Sequence, residues 1–555
     1  FYKALDYQSN KTDRLTSSNF EGFLDSFNLS KNSINKEKAL VEHWKQIEFI
    51  FQVGDAEITR IQSLFNTQSV DTNEYQSFLF FTLQLKEDNY KRAELVRITR
   101  ELNVPFKMPV IVLFHYGNKL TLSIIDRRLH KKDTSKDVLE KVTLIKDIDI
   151  ANPQRAHKEI LKDLSLNELY KQYEFHSFVK LHEAWKATLN ISELNKKFYK
   201  ELAYWYLSAL QEVEFPDDEL KDEKSRNPVN VIRLITRLIF VWFLKEKNLV
   251  PDELFNKREL DRILDYKDKT GSTYYKAILQ NLFFATLNTE MNKDVKDKNK
   301  ISRTFVNRNT GVPHYFRYGK FIKDQDRFAS LMDNIPFLNG GLFECLDKRF
   351  KDSSKDIFID GFTQQVKNET RVKVPDYLFF SDAPRNIDLN KTFNTKGKKY
   401  EVHSLIDILN RYKFTIEENT PVEEEVALDP ELLGKVFENL LASYNEETET
   451  TARKLTGSFY TPREIVNYMV DESLITYLSN TLLTDDDEKQ REVLNEKLHH
   501  LFSYTAEAPK FTEPEKAALI NAIDNCKILD PACGSGAFPM GVLHKLVYVL
   551  SKLDP

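Results

Sequence analysis

The chain has 555 residues, of which 41% are hydrophobic and 30% charged, and a formal net charge of −5. That composition supports buried cores in roughly three or four domains and excludes global disorder. Three cysteines (Cys345, Cys526, Cys533) without a CxxC pair exclude a disulfide-built scaffold and a closed cysteine zinc site, so a reducing, cytoplasmic compartment is expected. Residues 1–55 read as helical. From 76 onward the element types alternate: QSFLFFTLQLK (76–86) reads as a strand, YKRAELVRITRELN (90–103) as an amphipathic helix, and MPVIVLF (108–114) as a strand. KLTLSIID (119–126) sets Leu120, Leu122 and Ile124 against Thr121 and Ser123, the alternation of a half-buried strand, and Gly117-Asn118 suits the turn before it. Residues 1–155 thus predict a small α/β domain.

Residues 156–310 read as a helical domain. Its most apolar stretch, 227–251, is interrupted by Arg233, Arg237 and Lys245, so a buried helix is expected and no membrane association. Within it, 293–311 reads as a polar, basic loop. Residues 311–400 form a mixed connecting segment, and 401–555 a helical lead-in to a further domain, with 403–445 returning to helix. Two helix starts after that are well marked. Thr461-Pro462-Arg463-Glu464 has a Thr cap, Pro at the first helical position and Glu three residues after the cap; Thr512-Glu513-Pro514-Glu515 repeats the arrangement with Pro one position later. Helix 513–525 leads to an expected strand, Lys527-Ile528-Leu529. The fold class expected is mixed α/β and largely helical.

Charge is unevenly spread. From Lys86 to Lys132 there are eleven Lys/Arg against five Asp/Glu; from Ile416 to Glu449 there are eleven Asp/Glu against the single Lys435. A basic block of this kind suits a face presented to a phosphate backbone, or a merely solvated surface.

The string LDPACGSGAF (529–538) carries the chemistry. It is a strand end, an acidic residue, a tight Gly-x-Gly loop and the start of an amphipathic helix (537–553). Gly534 and Gly536 let the backbone approach a ligand, the helix N-terminus offers N–H groups to a carboxylate, and Asp530 accepts from an amino group. A ligand with an amine beside a carboxylate matches that set. A dinucleotide fingerprint would need glycine where Pro539 stands, and no GxxxxGK[ST] phosphate loop occurs.

DPACGSGAF resembles motif I of the amino-group DNA methyltransferases, and GSFYTPREIVNYMV (457–470) resembles the motif X that precedes it in the adenine-N6 class. RLITRLIFVWFLKEKNLVP (233–251), IPFLNGGLFE (335–344), LDPELLGKVFENLL (428–441) and MPVIVLFHYGNKLTLSIIDRR (108–128) resemble segments of the fused type IIG restriction–modification methylases. The resemblance implies S-adenosylmethionine as cofactor and double-stranded DNA as partner, in a restriction–modification or phage-defence system. Residues 401–555 would then include the first part of a Rossmann-like class I methyltransferase domain. By the motifs, Tyr460, Thr461 and Pro462 would line the pocket beside the methionine moiety, and Asp530, Ala532, Gly534, Gly536 and Phe538 would form its floor.

The catalytic [N/D/S]PP[Y/F] motif of that class is missing, for the sequence contains no Pro-Pro dipeptide, and nineteen residues follow Gly536 where each further βαβ unit needs roughly thirty. The expectation is therefore the leading part of a methyltransferase, without methyl transfer of its own. Such fused enzymes often carry a Mg²⁺-dependent nuclease: Gln84 and Lys86 share a strand face, and Asp71 or Glu74 could bring a carboxylate, although Gln84 stands where an acid is needed. Two other readings remain, a DNA-binding scaffold using the 86–132 block and a methyltransferase acting on RNA or protein. The DNA target and the oligomeric state are not legible.

Overall fold

The computed structural model describes residues 1–58, 76–129, 137–290, 303–305, 315–338, 341–348, 350, 355–390, 392–393, 395–416, 423–428, 461, 463–483, 488–504, 509–531, 533 and 536–553. The chain divides into two compact units, residues 1–419 with 423–444, and residues 445–555 with 420–422. Of the four segments expected, the first three and the beginning of the fourth lie in the first unit.

The first unit is mixed α/β. Its strands are β1 (Trp44–Gly54), β2 (Ser77–Leu85), β3 (Val110–Tyr116), β4 (Lys119–Leu129), β5 (Asp137–Asp149), β6 (Arg385–Ile387), β7 (Tyr400–Val402) and β8 (Glu423–Glu425). One sheet runs in the order β1-β2-β3-β4-β5-β8, and β6 with β7 makes a separate ribbon. β2 and β3 are parallel, as are β5 and β8; the other pairs in that sheet are antiparallel. Its helices include α1 (Phe20–Ser26), α2 (Arg92–Asn103), α3 (Arg155–Asp163), α4 (Leu166–Tyr173), α5 (Phe178–Thr188), α6 (Ile191–Ala209), α7 (Glu223–Glu246) and α8 (Tyr274–Leu287), the last wound as a π-helix.

The parallel step from β2 to β3 needs a crossover, and α2 supplies it. Leu79, Phe81 and Leu83 pack with Leu95, Ile98 and Leu102 of α2 and Phe23 of α1. On the opposite face, Phe78, Phe80 and Ile111 pack with Tyr7 and with Phe178, Leu181 and Trp185 of α5. Buried on both faces, β2 reads as an almost continuous apolar run.

Two sequence expectations fail here for identifiable reasons. Residues 44–54 form β1 and not helix: bulges between Trp44 and Gln46 and between Phe49 and Phe51 interrupt the period of two by which a strand is read. Of 403–445, the described residues hold one short helix, Leu405–Asn410, and then Glu423–Glu425, which joins the sheet as β8; residues 429–445 lie outside the described residues. Three glutamates form a strand there because β5 supplies the backbone partners, Val142 opposite Glu423 and Leu144 opposite Glu425, and Lys141 lies 2.5 Å from the Glu424 carboxylate.

The helical part of the unit centres on α7 and α8. α7 is long and apolar enough to cross a membrane, and 78% of its most apolar window is buried, as a core helix requires. Inside that core lies Arg237. Its Nε donates to the Leu342 carbonyl at 2.7 Å, Nη2 to the Glu344 carbonyl at 3.0 Å and Nη1 to Asp360 at 3.0 Å, while the guanidinium sits 4.9 Å from the Phe284 ring centroid. The 233–251 and 335–344 segments are thus tied together by one fully engaged cation. Arg303, from the stretch read as a basic loop, is buried too and donates to the carbonyls of Thr286, Met332 and Ile335.

The second unit is helical among the described residues: α9 (Arg463–Leu482), α10 (Glu488–Phe502), α11 (Glu513–Asp524) and α12 (Ala537–Leu553). Val466, Val470, Leu474 and Leu478 of α9 meet Leu498 and Leu501 of α10, Leu519 and Ile523 of α11, and Val549 and Leu553 of α12. The Thr512 capping box forms as read from sequence, with the Thr512 N–H donating to Glu515 at 2.6 Å and the Glu515 N–H to the Thr512 hydroxyl at 3.4 Å. At the far end of α10 the unpaired carbonyls of Leu501 and Phe502 accept from Lys552 and Lys545 of α12, each at 3.1 Å.

Two outcomes follow from these contacts. Arg237→Ala leaves Asp360 buried without its cation, and a loss of about 3–5 kcal/mol from the first unit is expected. All four tryptophans (Trp44, Trp185, Trp205, Trp242) lie in that unit, so tryptophan fluorescence in a urea titration reads it. Thr512→Ala should cost α11 about 1 kcal/mol at neutral pH, read by amide hydrogen exchange. The Thr512 N–H, then its hydroxyl and Lys497, hold the Glu515 carboxyl below its usual value. That contribution is complete above the ordinary carboxylate range and is lost as pH falls below it, so the gap between variant and wild type should shrink in acid.

Candidate cofactor site

The candidate residues of the two motifs fall in the second unit, on the approaches to two helices. α11 ends at Asp524, and residues 525–531 run on without regular structure into the Gly-x-Gly turn. The expected strand 527–529 does not form. A strand needs a neighbour for its N–H and C=O groups, and no strand occurs in this unit among the described residues; Ile528 and Leu529 are accordingly 53% and 89% exposed. Asp530 is half-buried. The turn closes with the Gly536 N–H donating to the Cys533 carbonyl at 2.8 Å, and the Gly536 carbonyl accepts from the Met540 N–H at 2.9 Å as the first bond of α12. Gly536 has φ +85°, and no atom of another residue stands closer than 4.0 Å to the position of a Cβ. The glycine is demanded by backbone conformation and not by crowding.

Thr461 is half-buried two residues before α9 begins at Arg463, and Phe538, in the first turn of α12, packs against the core of the unit. Tyr460, Pro462, Ala532 and Gly534 lie outside the described residues. What connects the two motifs is the contact between their helices. A Cβ on Gly541 would lie 2.8 Å from Val466 Cγ1 and 3.5 Å from Val470 Cγ2, so α12 rests directly on α9 at that point. One turn further along, Lys545 reaches Asp471 at 3.0 Å. The contacts advance together along both helices, from Gly541 with Val466 and Val470 to Lys545 with Asp471. The helices therefore run in the same sense, and their first turns, next to Thr461 and Gly536, lie at the same end of the bundle. That end offers the N–H groups of Ala537 and Phe538, which have no acceptor within the helix; Pro539 has none to offer.

The nuclease candidates are less well placed. Asp71 and Glu74 lie outside the described residues. Gln84 stands on β2 opposite Gln46 of β1 and His115 of β3, and the Lys86 ammonium donates to the Glu42 carbonyl. The carboxylate the sequence reading overlooked is Glu48, opposite Thr82 on the same hairpin, and it accepts from Gln46 at 2.5 Å. Among the described residues no group of three His, Cys, Asp or Glu side chains is arranged to hold a metal ion.

The basic block also changes meaning. Arg92 of the basic block is buried and lies 3.3 Å from Glu423 of the acidic block, and Lys141, beyond the basic block, meets Glu424, so the two blocks touch through β8. Part of the expected phosphate-facing charge is spent inside the protein. A cleft of about 760 Å³, with Asp147, Asp149, Arg155, Lys245 and Asp407 in its wall, is likewise internally compensated: Lys245 pairs with Asp252 at 3.0 Å, Arg155 with Asp407, and Asp147 accepts from Tyr116 at 2.9 Å.

The contact at Gly541 has a direct test. Gly541→Ala forces a methyl group against Val466, and a loss of about 1–3 kcal/mol is expected. Gly541→Ala with Val466→Ala should recover part of it, and a double-mutant cycle read by thermal melting of the second unit measures the coupling.

No family model matches the chain, and no solved structure matches it. A protein of Methanocaldococcus jannaschii named as a type II restriction enzyme and methyltransferase is 26% identical over 414 residues, covering 73% of this chain and 27% of the relative. The chain therefore spans about a quarter of the length of that relative. Over most of its own length it is similar to part of a restriction–modification protein.

Proposed function

We propose that the chain is part of a site-specific DNA methyltransferase that transfers a methyl group from S-adenosylmethionine to adenine N6 in double-stranded DNA, within a restriction–modification or phage-defence system. One observation carries the reading most: GSFYTP and DPACGSGAF introduce two helices that lie side by side, in the same sense, within one compact unit. A sequence coincidence would not require Thr461 and Gly536 to precede neighbouring helices of one bundle. The similarity to a restriction enzyme and methyltransferase supports the same class.

The residues present fit the methionine half of the cofactor. Asp530 would accept from its amino group, and the Ala537 and Phe538 N–H groups at the positive end of α12 would hold its carboxylate. Gly534 and Gly536 would keep that approach clear of side chains, and Tyr460, Thr461 and Pro462 would close the pocket from the α9 side. Bound there, S-adenosylmethionine supplies an electrophilic methyl group. The adenine-binding [N/D/S]PP[Y/F] loop has no counterpart in this sequence, so the role assigned to these residues is to bind and orient the donor.

Isothermal titration of the full 555-residue chain with S-adenosylmethionine tests this. One equivalent should bind, and Asp530→Ala, which removes a charge-assisted hydrogen bond worth roughly 1.5–3 kcal/mol, should weaken binding by about tenfold or more. Absence of binding by the wild-type chain would overturn the reading.

A further inference from the structure

Lys545 and Asp471 form a charged pair that joins α9 directly to α12. The Lys545 side chain is 2% exposed and that of Asp471 28%. The ammonium donates to Asp471 Oδ2 at 3.0 Å and to the Phe502 carbonyl at 3.1 Å, and it lies 4.2 Å from the centroid of the Tyr504 ring. Two helices, the end of a third and an aromatic ring converge on one nitrogen.

A buried charge pair is a poor device for stability, since an apolar pair of similar volume does as well or better. It is a good device for register. At Gly541, one turn earlier, the surface of α12 is bare backbone against Val466 and Val470, an apolar contact that carries no directional bond. Apolar packing of this kind is non-directional. The Lys545 ammonium, by contrast, reaches Asp471 and the Phe502 carbonyl together only at one axial position.

We propose that Asp471 and Lys545 are positioning residues: the pair locks α12 in register against α9 and so sets the spacing between Thr461 and Gly536. Its bearing on cofactor affinity rests on the reading of those two helix starts as the S-adenosylmethionine site; its bearing on register does not. A shift of α12 by a fraction of a turn would move Gly536 and the first-turn N–H groups relative to Thr461, and a ligand held from both sides would lose one set of contacts.

The experiment uses the full chain with Cys345, Cys526 and Cys533 replaced by serine and spin labels at Ile465→Cys and Met540→Cys, which are 48% and 47% exposed at the beginnings of the two helices. Double electron–electron resonance should give a narrow label–label distance distribution. In Asp471→Leu/Lys545→Leu, which keeps the volume and removes the lock, the distribution should broaden or shift, with circular dichroism and the thermal midpoint at or above those of the parent. S-adenosylmethionine affinity, by titration calorimetry, should fall by about tenfold in the same variant. Lys545→Met, which leaves the partly exposed Asp471 to water, should broaden the distribution in the same direction and serves if the double variant does not fold. An unchanged distribution in either folded variant would overturn the proposal, as would unchanged affinity in a double variant of a chain that binds. Failure of the parent chain to bind S-adenosylmethionine would overturn the cofactor reading alone, with the distance measurement still deciding the register.

Discussion

An ionised group taken out of water must be met by partners on every side, and in this protein that demand fixes where the helices go. Arg237 lies in the middle of an apolar helix, and three elements far apart in the chain must converge to satisfy it: the carbonyls of Leu342 and Glu344, the carboxylate of Asp360 and the face of Phe284. Arg303 does the same for the end of α8 and the turn after Met332. In the second unit Lys545 collects Asp471, the Phe502 carbonyl and the Tyr504 ring. Apolar packing supplies most of the driving force in both units, but it is non-directional. The engaged cations choose one arrangement among the many that would bury similar area.

The same economy reshapes the charge distribution. A basic block followed by an acidic block reads along the chain as two separate surfaces. In space they meet, because β8 extends the sheet beside β5 and its glutamates stand against Lys141 and Arg92. Linear charge runs therefore overstate the field that the first unit presents to a polyanion.

For the candidate site, the geometry adds something that neither motif contains. Thr461 and Asp530 are far apart in sequence, and a strand-turn-helix with a glycine turn is common. Gly541, which no motif includes, lets α12 press against Val466, and the parallel run of the two helices then brings the two signatures to a common end. The glycine inside the signature and the glycine after it serve different ends. Gly536 is required by a left-handed backbone at the turn, Gly541 by the approach of another helix.

Much was legible without coordinates. The strands β2, β3 and β4 and the helix between the first two announce themselves by period, as do α11 and α12 by capping and amphipathic spacing, because local propensity and burial agree there. The residue types around 530–538 suggested a ligand with an amine beside a carboxylate, and the proposed donor site is built on that reading. What the tertiary structure alone decided is everything that depends on a distant partner. β1 is a strand because β2 pairs with it through two bulges that hide its period; Glu423–Glu425 is a strand because β5 offers an open edge and a lysine; 527–529 is not one because no strand stands beside it among the described residues. Hydrogen-bonding groups on an extended chain are satisfied only by another segment, and a sequence read locally does not say which segment will be there.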